Sequence, residues 1–295
     1  DLRVSVLPTV FGERVVMRIL DREGASFDLE KLGFPEKEFK DLTHAIDASQ
    51  GMVLVTGPTG SGKSTTLYGV LRRLNLPDVN ILTAEDPIEY QLNGVLQIPV
   101  NEKKGLTFAR GLRSILRHDP DQIMVGEIRD NETAQIAVQS ALTGHLVFTT
   151  VHANNAFDVI GRFLNMGVDA YSFVSALNIV VAQRLLRLVC HHCATPFDAS
   201  SSPYSDIPLP PDAKLLHGKG CGSCRGTGYK GRRAIAEIVV FNDELRELII
   251  NQASIRQIKT FAQQHGTRLL HEVALDMAFR GDTTLEEVHR VAPSI

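Results

Sequence analysis

The run Gly57-Pro58-Thr59-Gly60-Ser61-Gly62-Lys63-Ser64 constrains this chain more than any other part of it. A glycine-rich turn of this spacing belongs between a buried strand and a helix. There, successive backbone N–H groups converge on phosphate oxygens and the positive end of the helix adds to them. Val53-Leu54-Val55 supplies the strand, and Thr65 to Leu74 supplies the helix. In that setting the Lys63 ammonium reaches the β and γ phosphates, and the Ser64 hydroxyl holds Mg²⁺.

The alternation that begins there continues along the chain. Met52-Val53-Leu54-Val55, Ile81-Leu82-Thr83, Ile123-Met124-Val125 and Leu146-Val147-Phe148 are short apolar runs separated by helical patterns. Runs without polar alternation are buried on both faces, which predicts an α/β fold with a parallel sheet covered by helices on both sides. At 295 residues, with 43% hydrophobic and 22% charged residues, the chain has enough apolar material for a sizeable core. Val4, Val6, Val15, Met17 and Ile19 alternate around a turn near Gly12 and read as a hairpin that belongs with a domain lying upstream. Ser254-x-x-Gln257 and Thr284-x-x-Glu287 fit capping boxes, and Gly266 and Gly281 sit where helices stop. The expected division is a hairpin over 1–25, a linker over 26–35, a core over 36–188, a cysteine module over 189–232 and a helical unit over 233–295.

Acidic residues cluster where open parallel sheets bind ligands, at the carboxyl ends of strands. Glu127 ends the strand Ile123-Met124-Val125, where it can act on a metal through bound water or be an ordinary strand-end carboxylate. Glu85-Asp86-Pro87-Ile88-Glu89 follows another strand, as a set of acids near a γ-phosphate or as a solvated acidic turn. His152 lies at the same edge, after Leu146 to Thr150. Arg110, Arg113 and Arg117 recur at helical spacing; such a stripe is either a solvated face or a source of charge for phosphoryl transfer.

The four cysteines form two Cys-x-x-Cys pairs, Cys190/Cys193 and Cys221/Cys224. Two such knuckles bring four thiolates to tetrahedral geometry around a structural Zn²⁺, and the Ser/Pro-rich loop between them absorbs the 27-residue gap.

Taken together, the phosphate loop through Tyr68, the acidic box Glu85 to Tyr90, the segment Gly126-Glu127-Ile128-Arg129-Asp130 and the histidine box from Gly144-His145 to His152-Ala153-Asn154 resemble the secretion ATPase family. This family comprises the motors of type II secretion and type IV pilus assembly. The resemblance covers nearly the whole chain. It implies a RecA-like P-loop ATPase core with a small four-cysteine insertion and a helical C-terminal subdomain, working on ATP as a homo-hexamer. It implies that Gly57, Pro58, Thr59, Gly60, Ser61, Gly62, Lys63, Ser64 and Thr65 bind the phosphates. Glu89 resembles the catalytic carboxylate, Glu127 the strand-end acid and His152 a histidine sensing the γ-phosphate. Arg3 and Arg18 match arginines offered by the N-terminal domain, and Arg113 and Arg117 match a pair in the core. Within the family the four-cysteine insertion is typical of secretion and assembly motors, and the tail Leu285-Glu286-Glu287-Val288 leans toward type II secretion.

Two other classes make different demands. A nucleic-acid translocase needs a basic, aromatic-bearing channel, whereas this chain has no Trp, 6% aromatic residues and a net charge of −3, so no nucleic-acid partner is expected. A non-hydrolysing scaffold would have lost the acids, and both Glu89 and Glu127 are present. No apolar run approaches the roughly 18 residues of a membrane span. The expectation is a cytoplasmic protein, peripheral to the inner membrane and docked on secretion platform proteins through a preceding segment.

Overall fold

The apolar runs without polar alternation become the centre of one sheet. The computed structural model describes residues 2–19, 27–199, 203–204 and 206–293; the side chains of residues 2, 3, 18 and 19 lie outside the described set. An N-terminal hairpin, β1 (Leu2–Thr9) and β2 (Gly12–Ile19), precedes helix α1 (Glu36–Ile46). The core then alternates β3 (Gly51–Thr56), α2 (Lys63–Leu74), β4 (Ile81–Glu85), β5 (Leu96–Pro99), α3 (Phe108–Ile115), β6 (Gln122–Val125), α4 (Asn131–Leu142) and β7 (Leu146–Val151). Helices α5 (Asp158–Asn165) and α6 (Ala170–Ala176) lead into β8 (Leu177–Val189). A short pair, β9 (Ala194–Pro196) and β10 (Leu216–Gly218), separates β8 from β11 (Tyr229–Val240). Four helices close the chain: α7 (Asp243–Ile250), α8 (Ile255–Gln264), α9 (Leu270–Phe279) and α10 (Leu285–Val291).

Seven strands form the main sheet in the order β11-β8-β3-β7-β6-β4-β5. From β8 to β5 every pairing is parallel, and only β11 runs antiparallel, along β8. Each residue of β3 is buried. Met52 and Leu54 enter a core shared with α3, α4 and the C-terminal helices, while Val53 and Val55 enter one shared with α1 and α2. This two-sided burial is why the run carries no polar alternation. Because the strands are parallel, the segments that follow β3, β4, β6 and β7 all emerge at one edge.

The structure departs from the sequence expectation in three places. Phe27, Leu29 and Phe34 are buried against Val53, Val55 and α2, so the described part of the segment 26–35 is packed onto the core and is no free linker. The strand β11 crosses the boundary expected at 232/233 and belongs to the central sheet; it has Val180 and Val181 opposite Val239 and Ile238. The segment between the cysteine pairs carries the β9–β10 pair in addition to loop.

The caps hold with one difference. Ser254 and Gln257 form the expected box. Thr284 accepts the Glu287 N–H, but the Glu287 side chain turns away to Arg187 and Arg290. Fully buried, Glu287 accepts the Arg187 N–H at 2.9 Å, the Arg187 Nη2 at 2.7 Å and the Arg290 Nη2 at 2.6 Å, tying α10 to β8. Burial alone would raise the Glu287 carboxyl, but the hydrogen bonds from Arg290 and Arg187 outweigh it and bring it down to about 2.

We predict that Glu287→Ala lowers unfolding stability by about 2–4 kcal/mol, the scale for removing one partner of a buried charged pair, as read from urea denaturation. Because the folded value lies below the unfolded one, this stability is complete above pH 4.5 and fades as pH falls toward 2. The gap between wild type and variant should therefore shrink in acid.

Candidate nucleotide site

The phosphate loop hangs between β3 and α2 and is held from β8. Gly57 and Gly62 have φ of 146° and 92°, in the region that side-chain-bearing residues rarely adopt. A Cβ at Gly57 would lie 2.5 Å from the Gln183 carbonyl oxygen, and one at Gly62 would lie 2.8 Å from Gln183 Nε2. Both glycines are thus demanded twice, by conformation and by the closeness of β8. Buried Gln183 donates from Nε2 to the Ser61 carbonyl at 2.9 Å and accepts from Thr66 Oγ1 at 2.8 Å, so one side chain fixes both the loop and the first turn of α2. No side chain caps α2, which leaves its first N–H groups directed at the loop's interior, the arrangement suited to an anion.

A cavity of about 640 Å³ opens at the edge where the parallel strands end. Thr59, Gly60, Gly62, Lys63, Ser64 and Thr65 form one wall; Glu89 and Glu127 come from the segments after β4 and β6, and His152 from the segment after β7. Leu185 and Arg232, from β8 and β11, close another side. Lys63 Nζ donates to the Gly57 and Pro58 carbonyls at 2.8 and 3.2 Å, curled onto its own loop. Burial pulls this ammonium below its usual range, and the nearby Glu127 carboxylate partly offsets the shift.

Glu127 lies between His152 and Arg129. Its Oε1 lies 3.1 Å from His152 Nε2, and its Oε2 accepts from Arg129 at 2.8 Å. Of the acidic box, Glu85 ends β4 and is buried, accepting from Tyr68, from Thr83 at 2.6 Å and from Gln97 at 2.9 Å. Glu89 lies beyond the strand in the following turn, where its N–H donates to the Tyr68 hydroxyl at 3.2 Å. Burial and the adjacent Glu85 carboxylate keep the Tyr68 phenol protonated by raising its pKa.

The other expected site residues are elsewhere. Arg113 pairs with Glu132 at 2.6 Å, and Arg110 donates to the Gly105 carbonyl at 2.7 Å. Neither of them, nor Arg117 beyond the end of α3, lines the cavity. Arg3 and Arg18 are opposite each other in the hairpin register, and their side chains lie outside the described residues. Sequence reasoning missed Gln183 and gave no role to Tyr68, the last residue of the matched loop segment. The one available signal was a lone amide in the apolar run Val180-Val181-Ala182-Gln183.

Away from the cavity, Cys190, Cys193, Cys221 and Cys224 converge with their Sγ atoms all within 4.8 Å of one another. The contacts Cys190–Cys221, Cys193–Cys224 and Cys221–Cys224 are 3.9, 3.8 and 3.7 Å. Four sulfurs around a zinc at ~2.3 Å would be separated by about 3.8 Å, so the cluster fits a tetrahedral metal. Cys224 Sγ also accepts the Cys221 and Gly228 N–H groups at 3.1 and 3.3 Å, as a metal-bound thiolate does. His191 and His192 are exposed and outside the cluster.

The family described as type II/IV secretion system protein matches residues 1–290. The type II secretion system protein E of Xanthomonas campestris pv. campestris is 48% identical over 295 residues, covering 99% of this chain and 52% of that protein. The type IV pilus assembly ATPase PilB of Myxococcus xanthus is 48% identical over 293 residues, covering 98% of this chain and 52% of that protein. The chain thus spans about half the length of these relatives. Among solved structures, the pilus retraction motor PilT with bound ADP superposes with a TM-score of 0.71 at 28% identity, covering 99% of this chain and 74% of that one.

Because Gln183 is buried and satisfies one group of the loop and one of α2, Gln183→Ala orphans the Ser61 carbonyl and the Thr66 hydroxyl. We predict a stability loss of about 1–3 kcal/mol in chemical denaturation.

Proposed function

Since the chain belongs to the family of type II/IV secretion system proteins, we propose that it is an ATP-hydrolysing motor that powers pseudopilus assembly in type II secretion. Relatives named for type II secretion and for pilus assembly are equally close in identity, and the lean of the C-terminal tail favours the former. The observation that carries the proposal is the convergence of Lys63, Ser64, Glu89, Glu127 and His152 on one cavity beside a phosphate loop. A nucleic-acid translocase has no comparable support, since the named relatives act in secretion and piliation.

In this reading Gly57 to Thr65 enclose the β and γ phosphates with backbone N–H groups, and Lys63 swings from its own loop carbonyls onto the γ-phosphate. Glu89 orients a water and accepts its proton as the water oxygen bonds to the γ-phosphorus and the bond to the bridging oxygen breaks, leaving ADP and phosphate. The oxygen donors of Ser64 and Glu127 fit a hard cation, and Mg²⁺ held by them would neutralise charge on the phosphate oxygens. Glu127, held by Arg129, keeps His152 facing the γ-phosphate. Arg3 and Arg18, with Arg113 and Arg117, complete the charge around the nucleotide when domains and subunits close. The working form is a homo-hexamer at the cytoplasmic face of the inner membrane, on platform proteins. No helix among the described residues is long and apolar enough to cross a membrane.

Steady-state ATPase assays across a magnesium titration test this. Lys63→Ala should lose turnover, because the γ-phosphate charge goes uncompensated. Glu89→Gln should bind ATP yet hydrolyse it roughly 10²-fold more slowly, while Glu127→Gln should show part of its defect as a raised magnesium requirement. Wild-type turnover by Lys63→Ala overturns the hydrolase reading. Magnesium rescue of Glu89→Gln but not of Glu127→Gln reverses the two roles.

We further propose that the cysteine cluster holds one structural zinc. Elemental analysis of protein purified without chelator should find about one zinc per chain, and chelation should lower the melting temperature. Absence of metal, or chelation without a thermal shift, contradicts this.

A further inference from the structure

A buried carboxylate on β11 lies outside the chemistry described above. Glu237 is 3% exposed and has no ion pair among the described residues. Leaving a carboxylate in such a place is costly unless hydrogen bonds compensate it, and its two oxygens divide their partners. Oε1 accepts the Ala156 N–H at 2.9 Å, and Oε2 accepts the Leu270 N–H at 3.4 Å. Leu270 opens α9. Ala156 lies near the end of the loop that leaves β7, begins with His152 and runs to Phe157, the residue before α5.

That loop is held at three points by three strands. Thr56, at the end of β3, accepts the Ala153 N–H at 2.9 Å. Arg184 of β8 donates to the Asn154 carbonyl. Glu237 of β11 takes the far end. The first grip comes from the strand that carries the phosphate loop, and the last reaches the helical unit. The loop's near end presents His152 to Glu127 at 3.1 Å.

We infer that Glu237 is a positioning residue that clamps the histidine loop against the start of α9, so that its loss slows turnover through His152 without weakening nucleotide binding. The effect on turnover rests on the role given to His152 in the proposed function; the clamp itself does not. Freeing one end of a short loop lets the histidine sample geometries away from Glu127, and small misplacements of reacting groups are costly.

The test uses the full chain and four proteins: wild type, Glu237→Gln, His152→Ala and the double variant. Gln keeps the size of the side chain and one acceptor oxygen but sets an NH₂ against the other N–H. Glu237→Gln should lower kcat by about tenfold or more with KM for ATP little changed, and it should add nothing to His152→Ala. Amide exchange at 153–156 in nucleotide-free protein should quicken, while exchange at 57–64 stays as in wild type. Glu237→Asp, which keeps both oxygens on a shorter stem, should show the same pattern more weakly and serves if the Gln variant does not fold. Unchanged exchange at 153–156, or, where His152→Ala itself slows turnover, equal kcat losses in both backgrounds, overturn the inference. Wild-type kcat in His152→Ala together with quickened exchange in Glu237→Gln upholds the clamp and removes only the role given to His152.

Discussion

Everything at the cavity depends on β3 being immobile. The strand is hydrogen-bonded in parallel on both edges, to β7 and β8, and buried on both faces. Its end therefore cannot shift without breaking ladder bonds and two cores at once. A phosphate loop gains from that rigidity, because backbone N–H groups bind charge best when already oriented, with no reorganisation left to perform. Gln183 extends the same logic one strand further, holding the loop's carbonyl and the first turn of α2 from β8.

Around this rigid element the charges are arranged in layers. Lys63 is satisfied by its own loop, and Glu127 is shared between His152 and Arg129. Glu85, the most buried member of the acidic box, is fully occupied by Tyr68, Thr83 and Gln97 and acts as scaffold. Through the Tyr68 hydroxyl this scaffold reaches the backbone of Glu89. One acid of the box holds the turn, and another is presented to the cavity.

Much of this was legible in the sequence because it is local. A strand, eight loop residues and a helix are contiguous, and the apolar runs at 52–55, 81–83, 123–125 and 146–148 became β3, β4, β6 and β7. Parallel direction then brought Glu89, Glu127 and His152 to one edge. What escaped depends on distant pairing. The Gln183 contact to Ser61 spans 122 residues, and the membership of β11 in the sheet is hidden by the charged start Lys230, Arg232 and Arg233. The segment before α1 read as linker because its buried aromatics, Phe27 and Phe34, stand among charges with no periodicity to declare them.

The cysteine module has a topological consequence. Val189, the last residue of β8, faces Tyr229, the first of β11, across an antiparallel ladder. Everything between them is therefore the loop of one β-hairpin, however long it grows. Closing a longer loop costs only slowly rising entropy, and the convergence of the four cysteines brings the two ends of this one together beside the strand ends. The module is nonetheless docked: Ala199 is buried in the main core, and the Lys214 N–H donates to the Phe279 carbonyl at the end of α9 at 2.7 Å, so the long hairpin loop is fastened to the helical unit as well as to its own strands.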